Sequence, residues 1–156
     1  MMKAWLSSAV ALLGAGAVMA QTVDEDMKPQ PGRYESRVEL ISMDIPGVPA
    51  NMMGMMKGAF ERTVTICLTP EEVEEGYKDA LRKSQDGDCR YKSFSATGGK
   101  MDAEMVCDTD NGSMTLTMTG TGTPTTSDVT MMMKGNMGPG PGTMSMRVRQ
   151  KRIGDC

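Results

Sequence analysis

The chain has 156 residues with 17 basic and 20 acidic side chains, no histidine, four cysteines and 19 methionines. That length suits one domain with one core, and the slight acidic excess lacks the basic face a nucleic-acid binder needs. With no histidine, the usual general base and the usual ligand for zinc or Cu(II) are both missing.

Residues 1–20 read as a secretory signal peptide. Lys3 gives a basic start, Trp5 to Val18 is apolar and uncharged, and Val18-Met19-Ala20 offers small or apolar residues at the cleavage subsites. Cleavage is expected between Ala20 and Gln21, delivering the protein to the periplasm or the medium. The apolar run, about 15 residues, is shorter than the ~20 a spanning helix needs, so no transmembrane span is expected in the mature chain. No cysteine stands at the cut to carry a lipid. The remaining 136 residues carry 16 basic and 20 acidic side chains, a net of −4, and 16 of the methionines. Residues 21–31 are expected to form a partly flexible segment, and 32–156 one domain.

Along that domain, apolar and polar residues alternate. Tyr34, Val38 and Leu40 are separated by Arg37 and Glu39 within Arg33 to Ser42. Asn51 to Lys57, holding Met52, Met53, Met55 and Met56, is expected as a loop. Phe60, Val64 and Ile66 alternate with Glu61, Thr63 and Thr65. Thr69-Pro-Glu-Glu72 then starts a helix, with a capping hydroxyl, proline in the first turn and glutamates at the positive dipole end. Val73, Tyr77, Ala80 and Leu81 form its apolar stripe, and Arg82 and Lys83 close it after about 14 residues, or ~21 Å. Met101, Ala103 and Met105 oppose Asp102 and Glu104. Met114 to Thr119 alternates without error, Met131 to Met137 ends a further strand, and Met144, Met146 and Val148 repeat the pattern.

Period-two alternation with one buried face is the mark of antiparallel strands. Thr97-Gly-Gly-Lys100 and Asp110-Asn-Gly112 suit tight hairpins. Gly120 to Pro124 and Gly135 to Gly142 are expected as longer breaks. Asp108 to Gly112 has the look of half a calcium loop but lacks the spacing and the distal glutamate, so the hairpin is preferred. The expected fold is α+β and mostly β: a curved antiparallel sheet of about seven strands with one amphipathic helix packed on it and a methionine-rich inner face. Four cysteines in an oxidising compartment imply two disulfides, each worth about 2–4 kcal/mol. No spacing among them matches a pair of close metal ligands.

The Lys28-Pro-Gln-Pro-Gly-Arg-Tyr34 opening, Cys67-Leu-Thr-Pro-Glu71 and the ending Arg152-Ile-Gly-Asp-Cys156, behind a signal peptide, resemble the DUF3617 family of small exported proteins of Gram-negative bacteria. The resemblance covers essentially the whole mature chain and is most specific at the Cys-Leu-Thr step and the Gly-x-Cys ending. Tyr34 departs from it, since tryptophan is more usual there, but an aromatic anchor is kept. The resemblance implies a location and a fold; it brings no catalytic residues.

Counting strands up and down adds a disulfide pairing. If the helix carries the chain back to the top of the sheet, Cys89 and Cys107 meet across a hairpin at the top. Cys67 and Cys156 then meet at the bottom. The rival pair, Cys67–Cys89, brackets the helix and needs residues 84–88 to fold back along it. The favoured topology sets the loop of Met52, Met53, Met55 and Met56 on the same rim as the end of the strand carrying Met131, Met133 and Met137.

Packing accounts for Met101, Met105, Met114, Met118, Met144 and Met146, whose alternation already explains them. The rim methionines are candidates for binding an apolar ligand or an envelope protein. Met52, Met53, Met55 and Met56 are alternatively candidate Cu(I) ligands, since thioethers are soft donors. A purely structural envelope component is the third reading. No catalysis and no cofactor are expected. Glu71, Glu72, Glu74 and Glu75 read as a solvated helix face, and Ser84, Ser93, Ser95 and Lys92 make no nucleophile arrangement.

Overall fold

The computed structural model describes residues 22–75, 88–110, 112–137 and 140–156. The expected leader and the second half of the expected helix, with Tyr77, Ala80, Leu81, Arg82 and Lys83, lie outside the described residues.

Among the described residues eight strands form one open sheet: β1 (Thr22–Val23), β2 (Gly32–Asp44), β3 (Arg62–Leu68), β4 (Asp88–Thr97), β5 (Lys100–Thr109), β6 (Gly112–Thr123), β7 (Thr126–Asn136) and β8 (Pro141–Gly154). Their order is β1-β4-β5-β6-β7-β8-β2-β3. Seven strands pair antiparallel, as the alternation predicts. The two-residue β1 adds to the edge in parallel, Thr22 opposite Ser95 and Val23 opposite Ala96. Thr22 to Met27 is therefore built into the sheet edge through β1 and a 3-10 turn at Glu25–Met27.

The ladder fixes which residues share a face, because side chains directly opposite point the same way. Met105, Leu116, Met133, Met144 and Met43 form one row across five strands. Ala103, Met118, Met131, Met146 and Leu40 form the next. Met105, Cys107, Leu116 and Met118 are the most deeply buried side chains of the inner face. The opposite face carries the charges: Arg147 makes two bonds to Asp128 of 2.7 and 2.6 Å, and Arg149 pairs with Glu39 at 2.5 Å.

Call the end where β2 starts the lower end. Cys67–Cys156 then closes the lower end and Cys89–Cys107 the upper end of the β4–β5 hairpin. These are the pairs that the strand count favours.

Four local expectations are corrected. Residues Ala50–Phe60 form a helix, α1, rather than a loop, so Phe60 ends a helix and the strand starts at Arg62. Pro49 occupies the N-cap and accepts a 2.9 Å bond from the Met52 N–H, while Glu61 closes the helix on the Lys57 carbonyl. Gly54 and Gly58 hid it, being poor helix formers. β6 does not break at Gly120 but runs on to Thr123, and the turn is Pro124-Thr125. Gly120 is a close approach, not a turn: a Cβ there would lie 2.3 Å from the Asp128 carbonyl oxygen. The last break is also shorter than expected, since Asn136 already pairs with Pro141. Finally, Val64 and Ile66 share a face but remain 37% and 41% exposed on the edge strand β3 among the described residues.

The capping box appears as the sequence predicts. Thr69 N–H donates to Glu72 Oε2 at 2.8 Å and Glu72 N–H to Thr69 Oγ1 at 3.3 Å, opening α2 (Pro70–Glu75). Val73 is the buried residue of this helix.

Candidate functional site

A cavity of about 270 Å³ lies in the concave face near the lower end of the sheet. Its walls come from almost every element: Met27 of the 3-10 turn, Tyr34 of β2, Val73 of α2, Phe94 and Ala96 of β4, Met101 of β5, Gly122 of β6 and Val129 of β7. Strands from β4 round to β2 can share one hollow only because the sheet curves. Space arises where side chains are small. Gly122 has none, and a Cβ there would stand 3.3 Å from Met27 Cε. Gly120 separates Met101 from Val129 in the same cross-strand row.

The N-terminal segment forms one wall and is held by backbone bonds. Asp24 N–H donates to the Ala96 carbonyl at 2.8 Å, and Gly98 N–H donates to Asp24 Oδ2 at 2.9 Å. Gly98 and Gly99 make the β4–β5 turn with φ of +58° and +75°, a conformation glycine adopts at little cost. The Pro124-Thr125 turn is gripped from three sides. Gln30 N–H donates to the Pro124 carbonyl at 2.8 Å, Arg152 N–H to the Thr125 carbonyl at 2.8 Å, and the Tyr34 hydroxyl lies 3.0 Å from the Pro124 oxygen. The same hydroxyl lies 2.7 Å from the Gln30 carbonyl, so one proton serves two acceptors. Burial pushes the Tyr34 phenol above its ordinary pKa, against the opposing pull of Arg152 and the Gln30 bond. Tyr34 is thus a neutral anchor of the wall at physiological pH, not a base.

Most of the lining is apolar. Polar groups gather at the rim: Asp24, Glu25, Lys28, Glu74, Ser127 and Gln150, with Ser127 Oγ donating to Gln150 Oε1 at 3.1 Å. Such a hollow can desolvate an apolar group while its rim meets a polar end.

The methionines singled out in the sequence are distributed differently. Met52, Met55 and Met56 lie on α1, which leaves the upper end of β2, with Met52 45% and Met55 73% exposed. Met53 belongs to the same helix. Met137 follows β7 at that same upper end and is half-buried. Met131 and Met133 are not rim residues: they face inward and pack against the core of Phe94, Met105, Leu116 and Met118. The Met132 between them faces out and is half exposed. Sequence reasoning placed the candidate site at the upper rim and missed the lower cavity. Its one signal was the pair Gly120 and Gly122 interrupting an apolar alternation. Asp108, of the rejected calcium loop, pairs with Arg90 at 2.7 Å, and that bond holds its carboxyl below the usual range.

Among the described residues no helix is long and apolar enough to cross a membrane. No curated protein and no solved structure matches the chain. The family profile described as "Protein of unknown function (DUF3617)" matches residues 29–156, from Pro29 in the cavity wall to the bonded Cys156, and the chain belongs to that family.

Proposed function

We propose that this is an exported, non-catalytic binding module that holds a slim apolar ligand in the concave cavity. The observation that carries the reading is the apolar hollow bounded by Phe94, Ala96, Met101 and Val129 with its polar rim. Its volume, about 270 Å³, lies just below the ~300–1,000 Å³ of ordinary small-molecule sites. A single unbranched chain or one small ring fits that space better than a bulky polycycle. Export rests on the leader-like first 20 residues and suits a domain whose four cysteines are all bonded.

The test is titration of the mature protein with an environment-sensitive dye bearing a short acyl chain. Saturable fluorescence enhancement is expected, lost in Ala96→Leu, which fills the hollow, and retained when Met52, Met53, Met55 and Met56 are all changed to serine. If Ala96→Leu binds the dye as the parent does, the cavity is not the site. The exposed thioethers of Met52 and Met55 favour a second reading, in which α1 presents a flexible apolar surface to an envelope protein. The serine variant then loses a partner that Ala96→Leu keeps.

A further inference from the structure

The upper half of the concave face is paved with thioethers. Met133, Met144 and Met43 stand side by side on β7, β8 and β2, directly opposite one another in the ladder. Opposed residues on one face have Cβ atoms about 4.5–5.5 Å apart, and each methionine can swing its sulfur through three rotatable bonds. Met144 occupies the middle strand, so the three sulfurs can converge on a point above it. Met43 is buried while Met133 and Met144 are half-buried, which encloses that point yet leaves it approachable.

Packing alone would favour leucine here, because its rotamers are better defined and specify a core more sharply. Leu116 occupies the neighbouring place in the same row, beside Met133. The chain nonetheless sets three sulfur side chains in the next three places. What they offer and leucine lacks is a soft lone pair. The chain offers no other kind of soft donor: the sequence has no histidine and all four cysteines are in disulfides. Among the described residues no group of three His, Cys, Asp or Glu could hold a metal ion. Thioethers select soft monovalent ions such as Cu(I) over zinc or Cu(II).

We infer that Met133, Met144 and Met43 form a trigonal thioether site for a soft monovalent cation of the Cu(I) class. The site is on the sheet rather than on α1, and it lies away from the lower cavity, so either can fail while the other stands. The test is calorimetric titration of the mature, disulfide-intact protein with Ag(I), a redox-inert soft ion, together with NMR of the methionine methyl groups. One equivalent is expected to bind, with the methyl signals of Met43, Met133 and Met144 shifting most. Met144→Leu, which conserves volume, is expected to weaken binding by at least about tenfold. Met133→Leu gives the same answer if Met144→Leu fails to fold, as judged by near-UV circular dichroism. Met55→Leu on α1 is expected to bind as the parent does. Silver uptake unchanged in both sheet variants, uptake abolished in Met55→Leu, or no uptake at all would each overturn the assignment.

Discussion

At the residue scale, the side chains that hold the lower end together are more informative than those that merely fill it. Tyr34 carries one proton between two carbonyl oxygens, of Gln30 and Pro124, and so ties the strand opening to a turn 90 positions away. Tyr34→Phe keeps the ring but takes the hydroxyl donor from the Gln30 carbonyl and leaves the Pro124 carbonyl with the Gln30 N–H, and about 1 kcal/mol of stability should be lost in urea unfolding. The pH dependence has a definite sign. The folded pKa of Tyr34 is raised, so its contribution is complete below the unfolded value near 10 and disappears as pH rises through the higher folded value. The parent should therefore lose more stability than Tyr34→Phe above about pH 10. Asp128 behaves in the opposite sense. Its bonds to Arg147 hold its carboxyl below the usual range, so the contribution is present above the unfolded value near 4 and fades as pH falls further. Because the pair is more than a third exposed, Asp128→Asn should cost under about 1 kcal/mol at neutral pH and almost nothing in acid.

At the element scale, the two helices show why one was legible and the other was not. α2 announces itself through Thr69, Pro70 and Glu72, whose side chains satisfy backbone groups that any helix start leaves open. Thr69→Ala should cost about 1 kcal/mol in thermal unfolding. α1 has no such signal: Pro49 at its N-cap makes no side-chain bond, and two glycines interrupt an apolar run. Nothing lies within 4 Å of a Cβ built at Gly54 or Gly58. Alanine at either position should therefore raise stability by about 0.5–1 kcal/mol, read as a shift of the urea midpoint. The strands were legible because Met101, Met105, Met114 and Met118 alternate with polar neighbours at the pleat period. β6 extends past its expected end because glycine there answers a neighbouring strand's backbone, and a single sequence cannot distinguish that from a turn. The cavity was illegible for a related reason. Val73, Phe94, Met101 and Val129 are far apart along the chain, and only the curvature of the sheet gathers them.

At the scale of the whole molecule, the strand order divides the chain into a local part and a distant one. β4 to β8 form an uninterrupted meander, each strand paired to the next. β2 ends at Asp44 and reaches β8, which begins at Pro141, only after 96 intervening residues, and β3 pairs in the ladder with β2. One disulfide, with a separation of 18 residues, lies inside the meander, and the other, with a separation of 89, spans the division by tying β3 to the chain end beyond β8. In the chain-entropy account their loss should cost about 3.2 and 4.6 kcal/mol respectively, so the paired serine variant at Cys67 and Cys156 should unfold at the lower urea concentration. The same division sets an order in time. Closing the short hairpin loop is statistically cheaper than bringing β3 to the end of β8. Acid quenching during oxidative refolding should trap molecules already joined at Cys89 and Cys107 while Cys67 and Cys156 are still thiols. Assembly would thus travel from the meander outward, with the N-terminal strands arriving last to seal a half-made trough.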